Sequence, residues 1–163
     1  MSIFEYAMKM EQDGRAFYLE HAAKIRQPEL KRILEELAHD ELKHYNIFKA
    51  MHEGLQADYK ESEKTTILNT VKNVFEELKA ADKEFSFPPE AKRIWEQAQE
   101  VEKKTEDFYR VKAAEVTDPR QKNVLSRIAD EEHRHWVTMQ NVIEFLDRPN
   151  HWLEDAEWSD LGE

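Results

Sequence analysis

The sequence has no cysteine and only three glycines among its 163 residues. Without cysteine it cannot form disulfides, thiolate zinc sites, iron–sulfur clusters or a cysteine nucleophile. Gly14, Gly54 and Gly162 are too far apart to build a phosphate-binding loop, which excludes P-loop and dinucleotide fingerprints. Basic residues are in the minority, 24 against 35 acidic ones, and the formal net charge of −11 argues against nucleic-acid binding.

Long hydrophobic runs are also missing. No stretch approaches the roughly twenty apolar residues that a membrane span requires. The first residues open directly into an amphipathic pattern, without the basic and apolar segments of a signal peptide. We therefore expect a cytoplasmic protein with neither a membrane nor a nucleic acid as its partner. Its length suits one domain with a sizeable core.

What the sequence does contain is helix-forming composition, rich in Ala, Glu, Lys and Leu. Apolar periodicity and the positions of the prolines predict helices at residues 2–26, 29–53, 64–83, 89–116 and 119–147. Tight turns at Pro28 and Pro119 make each flanking pair antiparallel, whereas residues 55–88 form one long crossover. We predict an all-α, ferritin-like four-helix bundle over residues 1–147. An acidic tail follows at 148–163, and its tryptophans are expected to cover the bundle or a neighbouring subunit.

The two helical pairs repeat each other. Shifting the chain by 91 residues superposes them without a gap, with identities that include Glu11/Glu102, Tyr18/Tyr109, Glu41/Glu132 and His44/His135. Two copies are too few for a solenoid and instead predict a bundle with internal pseudo-twofold symmetry. Each matched residue type would then occur twice in the bundle, at two positions related by the same pseudo-twofold axis.

Six residues on the apolar helix faces are not apolar: Glu11, Glu41, His44, Glu102, Glu132 and His135. Four buried carboxylates would repel one another, and these faces offer no Lys or Arg at that level. Two cations, completed by the two imidazoles, would neutralise them. One Glu from each of two helices plus Glu-x-x-His from the other two is the ligand set of carboxylate di-iron bundles.

A single Glu-x-x-His would be better explained as surface charge or as a satisfied polar layer. Here the motif occurs twice, and each copy is preceded at equal distance by a glutamate on an apolar face. Oxygen-rich ligation with two imidazoles favours iron, with manganese as the alternative, over structural zinc. We therefore predict a metal centre.

Supporting residues are predicted from the same geometry. Tyr18 and Tyr109 lie two helical turns beyond a predicted ligand, so that their hydroxyls could bond to carboxylates or pass an electron or proton during oxidation. The alternative is a pair of core tyrosines with satisfied hydroxyls. Asp40 and Glu131, next to Glu41 and Glu132, could accept the ring N–H of the opposite histidine. The alternative for them is an acidic helix face.

The doubled motif is Glu11 with Asp40-Glu41-Leu42-Lys43-His44, and Glu102 with Glu131-Glu132-His133-Arg134-His135. It resembles that of the rubrerythrin family of ferritin-like proteins, over about residues 3–147. The resemblance implies two iron ions per chain in a non-haem centre, bridged by Glu41 and Glu132, with Glu11 and Glu102 as terminal ligands. His44 and His135 would each hold one iron. It also implies reduction of hydrogen peroxide or dioxygen in oxidative-stress defence, and a homodimer or higher homo-oligomer.

Two features depart from the family pattern. Familiar members carry a four-cysteine rubredoxin domain, so this chain is expected to need a separate electron-donor protein of the rubredoxin kind. Thr105 occupies the place of an extra glutamate ligand found in peroxide-reducing members. Glu106, one residue further on, is expected to be a solvated or supporting charge, with a seventh ligand as the alternative. A ferroxidase or iron-handling protein with the same six ligands is the first alternative. A non-enzymatic bundle with a structural metal is the second.

Overall fold

The computed structural model describes residues 2–55, 57–155 and 157–158, and in that part of the chain it contains α-helices, two short 3-10 turns and no strand. The α-helices are α1 (Ile3–Lys24), α2 (Pro28–His52), α3 (Ile67–Ala80), α4 (Arg93–Glu115), α5 (Pro119–Asp147) and α6 (Pro149–Glu154). Helices α1, α2, α4 and α5 are the four long ones, so the predicted all-α ferritin-like bundle is confirmed. None of these helices combines the length and apolar character that a bilayer span needs.

Local residues set the ends of the long helices. Ser2 begins α1 with a capping box, in which its hydroxyl accepts the N–H of Glu5 and the Glu5 carboxylate accepts the N–H of Ser2. The Asp118 carboxylate accepts two N–H groups in the first turn of α5. Pro28 and Pro119 stand at helix starts, where no N–H is needed. The chain therefore turns tightly, and α1 packs along α2 as α4 packs along α5.

The long crossover carries α3, which packs against α2 and α5. This helix begins at Ile67, three residues later than predicted, after an extended segment and a 3-10 turn at Glu61–Glu63. A second 3-10 turn at Pro89–Lys92 precedes α4, so that α4 begins at Arg93 and not at residue 89. Pro88, which precedes Pro89, is extended and therefore stays outside the helix, and the four residues from Pro89 form the 3-10 turn.

The apolar core consists of two clusters. The larger one surrounds Phe75 of α3, whose ring centroid lies 5.4 Å from Phe145, 6.0 Å from Trp152 and 5.9 Å from Trp158. The smaller one includes Phe48 and the ring of Tyr109. The sequence pattern did not predict α6, which brings two tail tryptophans back onto the bundle. Residues 156 and 159–163 of the tail lie outside the described residues.

The two long sides of the bundle are covered differently. On the α2–α5 side, α3 and the crossover lie across both helices. On the opposite side α1 and α4 make few contacts with each other. One such contact joins the rings of Tyr6 and Phe108, whose centroids are 4.9 Å apart. A cleft remains between α1 and α4.

Candidate metal centre

The six polar residues predicted as ligands come together between the two core clusters. All six are buried, with at most 3 % of each residue exposed: Glu11, Glu41, His44, Glu102, Glu132 and His135. Their ligating atoms form two groups, each within 4.8 Å, namely Glu11, Glu41, His44 and Glu132, and Glu41, Glu102, Glu132 and His135. Glu41 and Glu132 belong to both groups, as a bridging position requires.

Each histidine is oriented by a carboxylate of the opposite hairpin. Nε2 of His44 lies 2.6 Å from Oε1 of Glu131, and Nε2 of His135 lies 2.9 Å from Oδ2 of Asp40. These are the pairings expected from the sequence. A proton on Nε2 that is donated outward leaves the Nδ1 lone pair facing the centre. Nδ1 of His44 lies 2.9 Å from Oε1 of Glu132, a contact that requires a proton on Nδ1, and a metal ion would take the place of that proton.

The two tyrosines bond across the bundle. Tyr18 on α1 donates its hydroxyl to Glu102 on α4, and Tyr109 on α4 donates to Glu11 on α1. The expected bond to a carboxylate is therefore present, although its acceptor is on the other hairpin. Burial, followed by the charges of nearby carboxylates, raises the pKa of both phenols well above the usual value. Both hydroxyls thus remain protonated donors at neutral pH.

The electrostatics of the centre favour a bound cation. Burial, reinforced by neighbouring carboxylates, raises the pKa of Glu41 and Glu132 well above the usual range. Burial alone would lower the pKa of His44 and His135, but the surrounding carboxylates raise it well above the usual value. The cluster by itself therefore takes up protons, which divalent cations would replace.

Three buried carboxylate oxygens in this centre accept no hydrogen bond of suitable geometry from the described residues: Oε1 of Glu41, Oε2 of Glu102 and Oε1 of Glu132, although Nδ1 of His44 lies 2.9 Å from the last of these atoms. A buried acceptor without a partner is costly, and a metal ion would satisfy each of these atoms. Carboxylate oxygens with imidazole nitrogens suit iron or manganese. The residues present therefore fit such a metal.

The crossover supplies two residues that the sequence pattern did not identify. Tyr59 donates its hydroxyl to Glu131, and the N–H of Thr65 donates to the same Oε2 atom at 3.0 Å. The Thr65 hydroxyl donates to Asp40, and Nζ of Lys43 lies 3.2 Å from the other oxygen of that carboxylate. No repeat signal could have found Tyr59 and Thr65, because the crossover occurs once in the chain.

These bonds keep the two outer carboxylates ionised. Burial raises the pKa of Asp40, but hydrogen bonds from His135 and Thr65 outweigh it and hold the pKa well below the usual range. For Glu131 burial is likewise outweighed, chiefly by the hydrogen bond and charge of His44, and its pKa is lowered. An ionised carboxylate accepts the ring N–H more strongly than a neutral one.

Glu106 is buried but lies outside both ligand groups. Its carboxylate accepts a hydrogen bond from Nε of Arg110 at 2.8 Å and lies 3.2 Å from Nδ1 of His133. Glu106 is therefore buried rather than solvated, and its carboxylate contacts Arg110 and His133. Thr105 and its repeat mate Gly14 line the floor of the α1–α4 cleft.

Comparison with known proteins agrees with this geometry. The Rubrerythrin family model matches residues 2–143, a range that contains all six predicted ligands. No curated protein and no solved structure gave a significant match. A match over most of the chain, together with the buried carboxylate–histidine cluster, identifies the family. The chain belongs to the rubrerythrin family, whose members bind non-haem iron.

Proposed function

We propose that this protein is a di-iron oxidoreductase that reduces hydrogen peroxide or dioxygen with electrons from a separate donor protein. The observation that supports this best is the pair of overlapping ligand groups, each with one imidazole and with two carboxylates in common. Such an arrangement accommodates two metal ions side by side. The rings of His44 and His135 lie 6.2 Å apart and are nearly parallel, as two adjacent sites need.

In this proposal the six side chains divide by position. Glu41 and Glu132, which belong to both ligand groups, would be shared by the two metal ions, while His44 and His135 would each hold one of them. Iron, when bound, supplies the electrons that reduce the oxidant. Asp40 and Glu131 hold the imidazoles in the Nε2–H tautomer, which keeps each Nδ1 available as a ligand.

The two tyrosine hydroxyls place proton donors beside Glu11 and Glu102, the proposed terminal ligands. Tyr18 keeps its proton against Glu102, and Tyr109 keeps its proton against Glu11. Reduction of an oxidant to water consumes protons, and a hydroxyl bonded to a carboxylate is a positioned proton source. Both phenols are buried, so this source is shielded from bulk water.

The electron donor of the proposal is a separate protein of the rubredoxin kind, because the chain contains no cysteine. The proposed assembly is a homodimer or a higher homo-oligomer. Co-purification with iron-loaded rubredoxin and sedimentation of the loaded chain test these two points separately.

The reaction is tested by loading the chain anaerobically with two ferrous ions and mixing it in a stopped-flow instrument with peroxide or with dioxygen. Faster oxidation by peroxide, with a centre that can be reduced again, supports a peroxidase. Faster oxidation by dioxygen, with turnover of added iron beyond two per chain, favours the ferroxidase alternative. Bound metal that reacts with neither oxidant contradicts the proposal and supports a structural metal.

The site itself is tested by Glu41→Ala combined with Glu132→Ala. Both ligand groups lose two of their four members, so we expect the bound iron to fall from two per chain to none, as measured by elemental analysis. Removal of two buried carboxylates also removes repulsion, so the helices should persist in circular dichroism. The control, Glu35→Ala with Glu100→Ala, deletes two exposed charges. A double variant that keeps two irons would refute the site.

A further inference from the structure

A cleft of about 520 Å³ lies between α1 and α4 and ends at the metal centre. Tyr6, Asp13, Val101 and Lys104 lie at its mouth, where each residue is exposed. Its floor is formed by three carboxylates and four small or aromatic residues: Glu41, Glu102, Glu132, Gly14, Thr105, Tyr18 and Ala98. The cleft therefore connects solvent with the ligand groups.

The walls between mouth and floor are apolar. Met10 and Phe17 contribute from α1 and Phe108 from α4, and all three side chains are half-buried. Carboxylates occur at the floor, where the metal ligands lie. A molecule that fills the cleft would thus place an apolar body between the helices and a polar group against the centre.

The size of the cleft exceeds what a small oxidant needs. A water molecule occupies about 30 Å³ in the liquid, and hydrogen peroxide has only one more heavy atom. Sites for organic ligands typically measure roughly 300–1,000 Å³ and have apolar walls with a few polar groups. Water against Met10, Phe17 and Phe108 would find few hydrogen-bond partners, so an apolar occupant gains by displacing it.

The geometry points to an organic hydroperoxide with an apolar substituent as the substrate of this cleft, an inference that rests on the proposed function. The apolar substituent packs between Phe17 and Phe108, and the hydroperoxide group meets the centre at Glu41, Glu102 and Glu132. The O–O bond breaks, and ROOH with two electrons and two protons gives ROH and water. The reduced iron of the proposed function supplies the electrons, and the donor protein replaces them.

Two tryptophan variants on α4 distinguish an effect of blocking the cleft from an effect of adding a large side chain elsewhere on the surface. Val101 lies at the mouth and is 49 % exposed, while Val111 is 53 % exposed and does not line the cleft. Val101→Trp therefore narrows the entrance. Val111→Trp is the matched control, because it makes the same change at equal exposure on the same helix.

Binding is tested with cumyl alcohol, the product that cumene hydroperoxide would give, on the full chain with ¹³C-labelled methionine methyl groups. NMR spectra are recorded without metal and with Zn²⁺, which is redox-inactive. We expect the Met10 methyl resonance to shift on addition of alcohol in the native chain and in Val111→Trp, but much less in Val101→Trp. Met139, which is fully buried and does not line the cleft, should not shift.

Two NMR results would overturn the inference. One is a Met10 resonance that does not respond to cumyl alcohol in the native chain. The other is a Met10 resonance that changes with protein concentration and not with alcohol, which would mean that a second copy of the chain covers the cleft.

Turnover is tested with the iron-loaded, reduced protein by the rate of oxidation with cumene hydroperoxide and with hydrogen peroxide. Val101→Trp should slow the reaction with cumene hydroperoxide at least about tenfold, and that with hydrogen peroxide by no more than about twofold, because a narrowed entrance still admits the smaller molecule. Val111→Trp should change neither rate. Reaction of the native protein with hydrogen peroxide or dioxygen but not with cumene hydroperoxide overturns only the inference, whereas a centre that reacts with none of the three overturns the proposed function as well.

Discussion

The two long sides of the bundle enclose one centre in opposite ways. On the α2–α5 side the crossover closes the bundle, and Tyr59 and Thr65 bond to the outer carboxylates. On the α1–α4 side the helices separate and leave an apolar cleft that ends at the ligands. We infer from this difference that the closed side holds the predicted ligands in position, while the open side gives access to them. Substitutions on the two sides should therefore have different consequences.

The largest effect is expected from Phe75→Ala, which weakens the cover of the closed side. Phe75 is fully buried against Phe145, Trp152 and Trp158, and the loss of such a ring costs about 3–5 kcal/mol in the free energy of unfolding. Phe108→Ala on the open side should cost clearly less, because its ring is half-buried. Urea unfolding of the metal-free chain measures both values. Equal losses would contradict the distinction between the sides.

A smaller effect is expected when an outer carboxylate is removed. Glu131→Ala leaves Nε2 of His44 without its acceptor, and loss of such a partner typically lowers metal affinity by about 10–100-fold. Asp40→Ala should do the same through His135. Iron affinity is measured by competition with a chelator. Asp130→Ala, which removes a neighbouring, partly exposed carboxylate that contacts Arg110 and no histidine of the centre, is the control. An equal loss in that variant would argue against orientation of the histidines.

Tyr59→Phe tests the closed side more finely. It removes one hydrogen bond to Glu131, which we expect to cost about 1 kcal/mol of metal binding, or roughly a fivefold loss of affinity. Tyr6→Phe deletes a hydroxyl at the mouth of the cleft and should leave affinity unchanged. The same chelator competition compares the two. If both variants lose affinity equally, the crossover has no special part in holding the centre.

Gly14→Ala should have the smallest effect on metal binding. A Cβ at Gly14 would lie 3.3 Å from Oε2 of Glu41, so that carboxylate must shift by a few tenths of an ångström. We expect iron affinity to fall about twofold as a result of this crowding. The thermal midpoint of the metal-free chain should rise, because alanine is the better helix former. An unchanged affinity would show that Glu41 has room to adjust towards α5.

The sequence predicted the parts of this molecule that are repeated or periodic. The ligand positions follow from helical spacing, and the repeat presents each of them twice, so the cluster around Glu41 and Glu132 was accessible from the pattern alone. The predicted bounds of α1, α2 and α5 agree with the structure within two residues, whereas both ends of α3 differ by three residues and the start of α4 by four. The family assignment was confirmed by the match over residues 2–143.

What the sequence did not predict depends on single-copy segments and on distances between helices. Tyr59 and Thr65 lie in the crossover, where no second copy marks them as important. Helix α6 is only six residues long, too short for its apolar periodicity to be recognised. The cleft depends on how far α1 stands from α4, a quantity that no one-dimensional pattern contains.

Thr65 lies in the crossover that joins the two repeated hairpins. Two copies of a hairpin offer two equivalent acidic positions, but one connecting segment cannot meet both in the same way. Its backbone N–H serves one half and its hydroxyl serves the other. The acidic residue that meets the N–H is a glutamate and the one that meets the hydroxyl is an aspartate, shorter by one methylene. The two hairpins therefore carry different acidic residues at this position, Asp40 and Glu131, because the single connecting segment contacts each of them through a different group.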